Sequence, residues 1–340
     1  MATNLKDIAK RLNISVSTVS RAVNGKDRVD PETRKRVLDM VDELNYKPNE
    51  VARNLKTNTA TTIGVVLPDL TNFFFASVFK GIEEVARKNG YTLLLSSTSE
   101  DPAFESEYTD IFLQKKVAGL IVATLNPKVT FYKEYSARGI PVVFFDNKPK
   151  ISENFDFVSI DNEKAGYQLA EYIISLGHRN VAVIGSPLWE ETAAERLDGF
   201  KRAFEDKGLQ IKDEWIYIGK NSQAEEGYKF VKGLLKSKEK IHAVIAVNNL
   251  MIYGAIKAIY EHGLKIPQDI SVAGFDTTDL TGILRPQITC IQQPTMEIGK
   301  IACDMLLKKI NKEIGDVYQK VLLEPTLVAN ESCARRFEKE

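Results

Sequence analysis

From residue 62 onward the chain repeats one pattern: a short, unbroken run of β-branched and apolar residues, then a longer stretch with apolar residues at helical spacing. The runs fall at 63–67, 91–96, 119–123, 141–145, 158–160, 181–184, 243–247 and 271–274. Amphipathic stretches lie between most of them, at 76–89, 104–115, 164–176, 196–207, 225–235 and 251–262. A strand that is apolar on both faces needs cover on both, and helices from the intervening stretches supply it. The pattern therefore predicts parallel sheets in an α/β core. The 280 residues after residue 60 are too many for one such unit. They predict two doubly wound lobes with a boundary near 160–162. Lobe 1 is expected at about 62–160 plus 293–323, lobe 2 at about 161–291 plus 324–332, and 333–340 as a tail. The stretch 294–307 followed by 319–323 reads as the chain's return to lobe 1.

Several function classes drop out. No apolar run approaches the ~20 residues of a membrane span, and the N-terminus lacks the apolar segment of a secretion signal. The three cysteines, Cys290, Cys303 and Cys333, are widely spaced, which rules out a disulfide framework and fits a reducing cytoplasm. Cys333 is expected near an exposed tail, open to oxidation. His178, His242 and His262 are the only histidines, little material for a zinc site or a Ser-His-Asp triad. The glycine-rich phosphate loops, the nucleophile elbow and the zinc-protease helix are all missing. No cofactor, no metal and no enzymatic activity are expected.

The formal net charge of zero hides an asymmetry. Residues 1–60 hold 12 Lys/Arg against 8 Asp/Glu, and the rest 34 against 38. A small basic head on an acidic body suggests that the head meets a polyanion. Within the head, Thr3 can cap a helix over 4–11 whose stripe is Leu5, Ile8, Ala9 and Leu12. Asn13 follows, one of the few non-glycine residues that enters the left-handed region readily. A second helix runs from 15 or 16 to about 24, with Val19, Ala22 and Val23 inward. Outward it shows Ser17, Thr18, Ser20 and Arg21. Two short helices around a tight turn, the second with a face of small hydroxyls and one long cation, match a helix-turn-helix: small side chains let the helix sit deep in the major groove, where Arg21 can reach a guanine edge or a phosphate. A third helix has Asp30 as its cap, Pro31 at its first position, and Val37, Met40, Val41 and Leu44 as its stripe. The three predict a small all-α domain over 1–47 around Leu5, Ile8, Ala9, Val19, Val23, Val37, Val41 and Leu44.

Residues 49–56 have helical spacing for only two turns, too short to be stable alone. In a dimer on DNA, two copies could pack across the two-fold axis, with Leu55 wedged between base steps. Residues 48–61 therefore read as a hinge helix and linker.

The collinear runs Leu5-Lys6-Asp7-Ile8-Ala9, Ser15-Val16-Ser17-Thr18-Val19-Ser20-Arg21-Ala22-Val23-Asn24, Val29, Thr33-Arg34, Val37, and Leu44-Asn45-Tyr46-Lys47-Pro48-Asn49 through Ala52-Arg53-Asn54-Leu55 resemble the head and hinge of the lactose/galactose-repressor (LacI-type) family of bacterial regulators. The resemblance extends over the whole chain. It implies base reading by Val16, Ser17 and Arg21, phosphate contacts at Thr3, Ser15, Thr18, Ser20, Asn24 and Tyr46, and hinge contacts at Asn49, Ala52, Leu55 and Lys56, with Leu55 the minor-groove wedge. Asn13 stands where Gly is commoner. The coiled coil that makes some members tetramers is not legible in 332–340, which leaves a homodimer as the expected partner arrangement, since one head reads a half-site.

In doubly wound sheets, ligands bind at the carboxyl ends of strands. After the run 63–67 come Pro68-Asp69-Leu70-Thr71-Asn72-Phe73-Phe74-Phe75. Phe73 is expected in the core, Phe74 and Phe75 against the C–H face of a sugar ring. Asp146 and Asp276 each end a strand, Arg196 can donate a bidentate pair, and Asn248 adds an amide. The resemblance points to these same positions and adds Thr192 and Gln293; Asn72, just before the aromatics, is a further candidate for the ligand. Trp189 is either an extra ring for the ligand or an ordinary packing residue. Asn248-Asn249 replaces the usual Asn-Asp. If the second position caps a helix, nothing is lost; if it touches the ligand, a charged acceptor is missing.

The leading expectation is a cytoplasmic DNA-binding repressor of carbohydrate-utilisation genes, which binds a palindromic operator as a dimer and answers to a small sugar. The open alternatives are a nucleobase or nucleoside ligand, a protein co-repressor, and a sugar-binding protein without regulatory role.

Overall fold

The computed structural model describes residues 4–23, 29–44, 46, 60–126, 129–277, 285–315 and 317–336. The chain divides into two compact units, Met1–Ala60 and Thr61–Glu340, each described by itself.

The head holds α1 (Leu5–Leu12), α2 (Val16–Val23) and α3 (Pro31–Glu43). Asn4, not Thr3, caps α1: its Oδ1 accepts from the backbone N–H of Lys6 at 2.8 Å and of Asp7 at 3.2 Å, while Asp7 Oδ2 accepts from the backbone N–H of Asn4 at 2.9 Å. This reciprocal capping box satisfies two amides that would otherwise lack partners, and Asn one position later does it better than Thr3. Asn13 ends α1 in the left-handed region at φ 53°. Asp30 caps α3 through Thr33, with Pro31 at the first turn. Ile8, Ala9, Val19, Ala22 and Val37 are buried at the centre, ringed by Leu5, Leu12, Ile14, Val23, Val29, Met40, Val41, Leu44 and Tyr46.

In chain order the core runs β1 (Thr62–Leu67), α4 (Phe73–Lys88), β2 (Thr92–Ser97), α5 (Pro102–Gln114), β3 (Gly119–Val122), α6 (Phe131–Ala137), β4 (Val142–Phe145), β5 (Asp156–Ile160), α7 (Asn162–Ser175), β6 (Val181–Gly185), α8 (Glu191–Asp206), β7 (Ile216–Ile218), α9 (Ala224–Leu234), β8 (Ala243–Ala246), α10 (Asn249–Glu261), β9 (Ser271–Phe275), β10 (Thr289–Gln292), α11 (Thr295–Ile310), β11 (Lys320–Leu323) and β12 (Thr326–Val328). These strands form two six-stranded sheets, ordered β11-β5-β4-β3-β1-β2 and β12-β10-β9-β8-β6-β7. Every pairing is parallel except β10 with β12. Three segments cross between lobes: after β5, after β10 and after β11. α11 returns to lobe 1, where it packs on α4.

Successive strand residues enter opposite layers. Val65 and Val143 join one apolar cluster, Val66 and Phe144 another, and in lobe 2 Val183 and Ile184 divide the same way. Helices α9 and α10 approach backbone to backbone: a Cβ on Gly227 would strike the Met251 carbonyl, and one on Gly254 the Ala224 carbonyl.

The end of the described chain is not a loose tail. Ser332 is fully buried and its Oγ donates to the Val272 carbonyl, while the Arg336 N–H donates to the Leu176 carbonyl at 2.8 Å. Cys333 is half-buried, with Sγ 3.3 Å from the Val272 carbonyl, and burial pushes its thiol up. The exposed, oxidisable cysteine expected there is not what the fold provides; the thiol is shielded and kept protonated. No helix among the described residues is long and apolar enough to cross a membrane.

Candidate functional site

The cleft between the lobes is built from strand ends. Pro68 follows β1, Asp146 and Asn147 follow β4, Ser186 follows β6, Asn248 follows β8, Asp276 follows β9 and Gln293 follows β10; all line one space. About 580 Å³ of it is free of atoms.

Arg196 lies at the centre, 6% exposed. Its Nε donates to Asn162 Oδ1 at 2.8 Å and its Nη1 to the Val247 carbonyl at 2.7 Å, and its guanidinium lies 4.1 Å over the Phe275 ring. Burial pulls its pKa down, opposed by Asp146 and Asp276. Burial pushes Asp146 up to about 6, with Arg196 pulling down and Asp276 adding to the rise. Burial likewise raises Asp276, against Arg196 and two bonds from Gln293, whose backbone N–H donates at 3.0 Å and whose Nε2 donates at 2.6 Å. Both aspartates sit in the left-handed region, at φ 67° and 48°. Such backbone strain at two strand ends facing one cavity is characteristic of a functional site.

The lobes also touch each other here. Asn147 Oδ1 of lobe 1 accepts from the Thr192 backbone N–H at 3.2 Å and from its hydroxyl at 3.1 Å. Lys148 Nζ reaches Glu191 at 3.1 Å and Glu195 at 2.9 Å on α8. Asn249 Nδ2 donates to Asn72 Oδ1 at 2.9 Å across the cleft, and Asn72 Oδ1 also caps α4 through the Phe74 N–H. Asn248 is the cap of α10, accepting from the Met251 N–H at 2.9 Å while its Nδ2 donates to Ser186 Oγ at 2.9 Å. The residue after it is thus no cap; it is an amide that ties lobe 2 to lobe 1.

Not every expected residue falls as the sequence suggested. Phe74 and Phe75 belong to the first turn of α4 rather than to a loop, and are 6% and 8% exposed. They line the cleft yet also pack as core, edge to face at 5.0 Å. Phe73, expected inside, is 39% exposed: on the first turn of a helix its neighbours take the two inward directions. Trp189 is 40% exposed and lines a small recess with Lys150 and Glu191 instead of the cleft. Asn72, Phe74, Phe75, Asp146, Thr192, Arg196, Asn248, Asp276 and Gln293 do come together.

On the head, Ser15 begins α2: its Oγ accepts from the Thr18 N–H at 3.1 Å and lies 2.7 Å from Ser17 Oγ and 2.8 Å from Thr18 Oγ1. Val16, Ser17 and Arg21 are exposed along one side of α2, with Thr18 and Ser20 half-buried beside them. Val16 is 41% exposed amid these hydroxyls and the guanidinium. Tyr46 packs on the head core. Thr3, Asn24, Asn49, Ala52, Leu55 and Lys56 lie outside the described residues, as does nearly all of the expected hinge 48–61.

Two family descriptions match the chain: "Bacterial regulatory proteins, lacI family" over residues 4–49 and "Periplasmic binding proteins and sugar binding domain of LacI family" over residues 60–326. The chain is 34% identical to catabolite control protein A of Priestia megaterium, over 93% of its own length and 95% of that protein's. It is also 34% identical to the transcriptional repressor PurR of Histophilus somni, over 98% and 99%. A crystal structure of the lac repressor dimer bound to operator and the anti-inducer ONPF superposes with a TM-score of 0.87 at 26% identity, covering 98% of this chain and all of that one. The chain belongs to the LacI family. It is a DNA-binding transcriptional regulator with a small helix-turn-helix domain before a two-lobed core.

For this LacI-family member, several cleft residues went unread in the sequence. Asn147 sits one position beyond Asp146, so proximity alone was the available signal, whereas Asn249 had been marked only as a departure from the usual Asn-Asp. Glu190 precedes α8 and receives a hydrogen bond from Ser222 Oγ at 2.8 Å; burial pushes its pKa up to about 7. Glu100 follows β2 at φ 64°, and burial raises it too. Nothing in the pattern around Glu100 marks a left-handed residue.

Proposed function

We propose that the chain is a repressor of carbohydrate-utilisation genes that binds a palindromic operator as a homodimer and releases or grips it according to a small sugar in the interlobe cleft. The observation that carries the sugar is the set of acceptors and donors converging on one space: Asp146, Asp276, Asn248 and Gln293 around a single fixed guanidinium, beside the aromatic wall of Phe74 and Phe75. A polyol needs this mixture, because each hydroxyl both donates and accepts and its ring offers an apolar face. Val16, Ser17 and Arg21 would read bases, with Ser15, Thr18, Ser20 and Tyr46 at the phosphates. The effector works by differential affinity for lobe arrangements; by reciprocity, operator and effector alter each other's binding by the same factor.

A thermal-shift screen of the full chain against mono- and disaccharides, followed by operator titration with and without each hit, tests this reading. One sugar raises the melting temperature and changes operator affinity. A purine doing so while every sugar fails would replace the sugar with a nucleobase. Operator binding must also fall steeply with salt, since several phosphate contacts release counterions; a flat response would end the operator reading.

A further inference from the structure

The cleft carries more negative charge than a neutral sugar requires. Glu100, Asp146, Glu190 and Asp276 line it against one lining cation, Arg196, among the described residues. Arg196 is already engaged, by Asn162 and the Val247 carbonyl through two of its nitrogens and by Phe275 across its face. Asp146 and Asp276 flank it and suffice as acceptors for hydroxyls. The two glutamates are a surplus.

Their placement is specific. Glu190 occupies the N-cap position of α8, where a carboxylate ordinarily accepts a first-turn N–H and gains from the helix dipole. It makes no such bond and is held by Ser222 at 2.8 and 3.0 Å instead. Glu190 belongs to lobe 2 and Glu100 to lobe 1, and each lines the same cavity, so closure brings like charges toward each other. Glu100 is among the groups that raise Glu190, and its own partner, Gln223, is also on lobe 2. A positive group seated between them would turn repulsion into a bridge, drawing the lobes shut with no new protein contact.

We propose that the effector carries an ammonium group: an amino sugar whose hydroxyls meet Asp146, Arg196, Asn248 and Asp276 and whose charge is shared by Glu100 and Glu190 from opposite lobes. This rests on the reading of the cleft as a sugar site and narrows it. The same field repels sugar phosphates and sugar acids.

The test uses the full chain and sugars paired so that an amine replaces one hydroxyl: D-glucosamine with D-glucose, D-galactosamine with D-galactose, D-mannosamine with D-mannose, each titrated calorimetrically at neutral pH. In at least one pair the amine binds about tenfold tighter or more, equivalent to about 1.4 kcal/mol. The N-acetyl derivative of that amine loses the gain. Glu190→Gln reduces the amine's affinity about tenfold while its neutral partner stays within about threefold, a split that general damage to the cleft would not produce. Neutral sugars binding as tightly as their amines, or a wild-type ratio in Glu190→Gln, overturns the ammonium and leaves the sugar site standing. If no sugar of either kind binds and a purine does, both fall together.

Discussion

Head and core each turn on one arginine, and the two stand in opposite solvents. Arg21 lies exposed on α2, a helix held by the handful of buried residues around Ile8, Val19 and Val37. Arg196 lies 6% exposed in a core layered by two sheets, its charge faced by carboxylates from both lobes. An exposed cation can be kept for its partner alone, since water solvates it until the partner arrives. A buried one is part of the fold, since the same neighbours that set its charge also depend on it. The recognition surface of the head should therefore be separable from stability, and the centre of the cleft should not.

The largest effect expected from this contrast is at Arg196. Arg196→Ala removes the cation that pulls Asp146 and Asp276 down and the donor held by Asn162 and the Val247 carbonyl, and leaving buried charge uncompensated costs about 3–5 kcal/mol. Calorimetry of the variant should show the core transition moved to lower temperature and the effector response gone. A core that melts unchanged would mean the guanidinium is not what balances the cleft.

Next comes the head. Ile8 is fully buried in a cluster that has four other buried members among the described residues. Ile8→Ala should cost about 2–5 kcal/mol, comparable to what so small a core can supply. The variant should lose operator binding while the core transition and effector binding stay as they were. One shared transition, shifted as a whole, would show that the two units do not melt separately.

Arg21→Ala reverses the pattern. It should weaken specific operator binding by about 1–3 kcal/mol and leave melting within about 0.5 kcal/mol of wild type. Equal affinity for operator in variant and wild type would remove Arg21 from the reading face.

How much could be read beforehand follows the same divide. The head was legible because capping, turn and stripe are local: Asn13 at φ 53° and Asp30 before Pro31 are signals carried by single residues. The lobes were legible because strands buried on both faces are apolar throughout. What escaped were short or marginal elements: β7, β10 and β12, of three or four residues, and α6, whose neighbours gave no period. α8 begins at Glu191 rather than at 196 because Glu190 precedes it without capping, leaving no start signal. The cleft was half legible. Strand-end aspartates announce themselves after apolar runs, and Asn147 adjoins one, whereas Glu100 and Ser222 enter the site only because two lobes meet, a property of no segment of sequence.

The smallest effect concerns protons, and separates the glutamate wall from the fold around it. A carboxyl whose pKa is raised on folding makes the folded state bind more protons than the unfolded chain, so the stability it lends is greatest in acid and is lost as pH climbs through the folded value. Glu190, pushed from 4.5 up to about 7, and Asp146, from 3.8 up to about 6, act in this sense, each losing its share between its ordinary value and its folded one. His242 acts oppositely: burial holds it down at about 4, so its share is present above the ordinary histidine value and disappears as the solution is acidified. A single melting curve mixes the two, but the difference between wild type and Glu190→Gln does not, because glutamine does not titrate. Without effector, the melting temperature of the variant relative to wild type should rise by about 2–4 °C between pH 6 and 8. In the head, where Arg21 and its neighbours are solvated, the same pH step should leave operator binding by the two proteins equally affected. If the difference curve is flat, Glu190 is ionised throughout that range in the folded protein, and the cleft already holds the counter-charge it was thought to await.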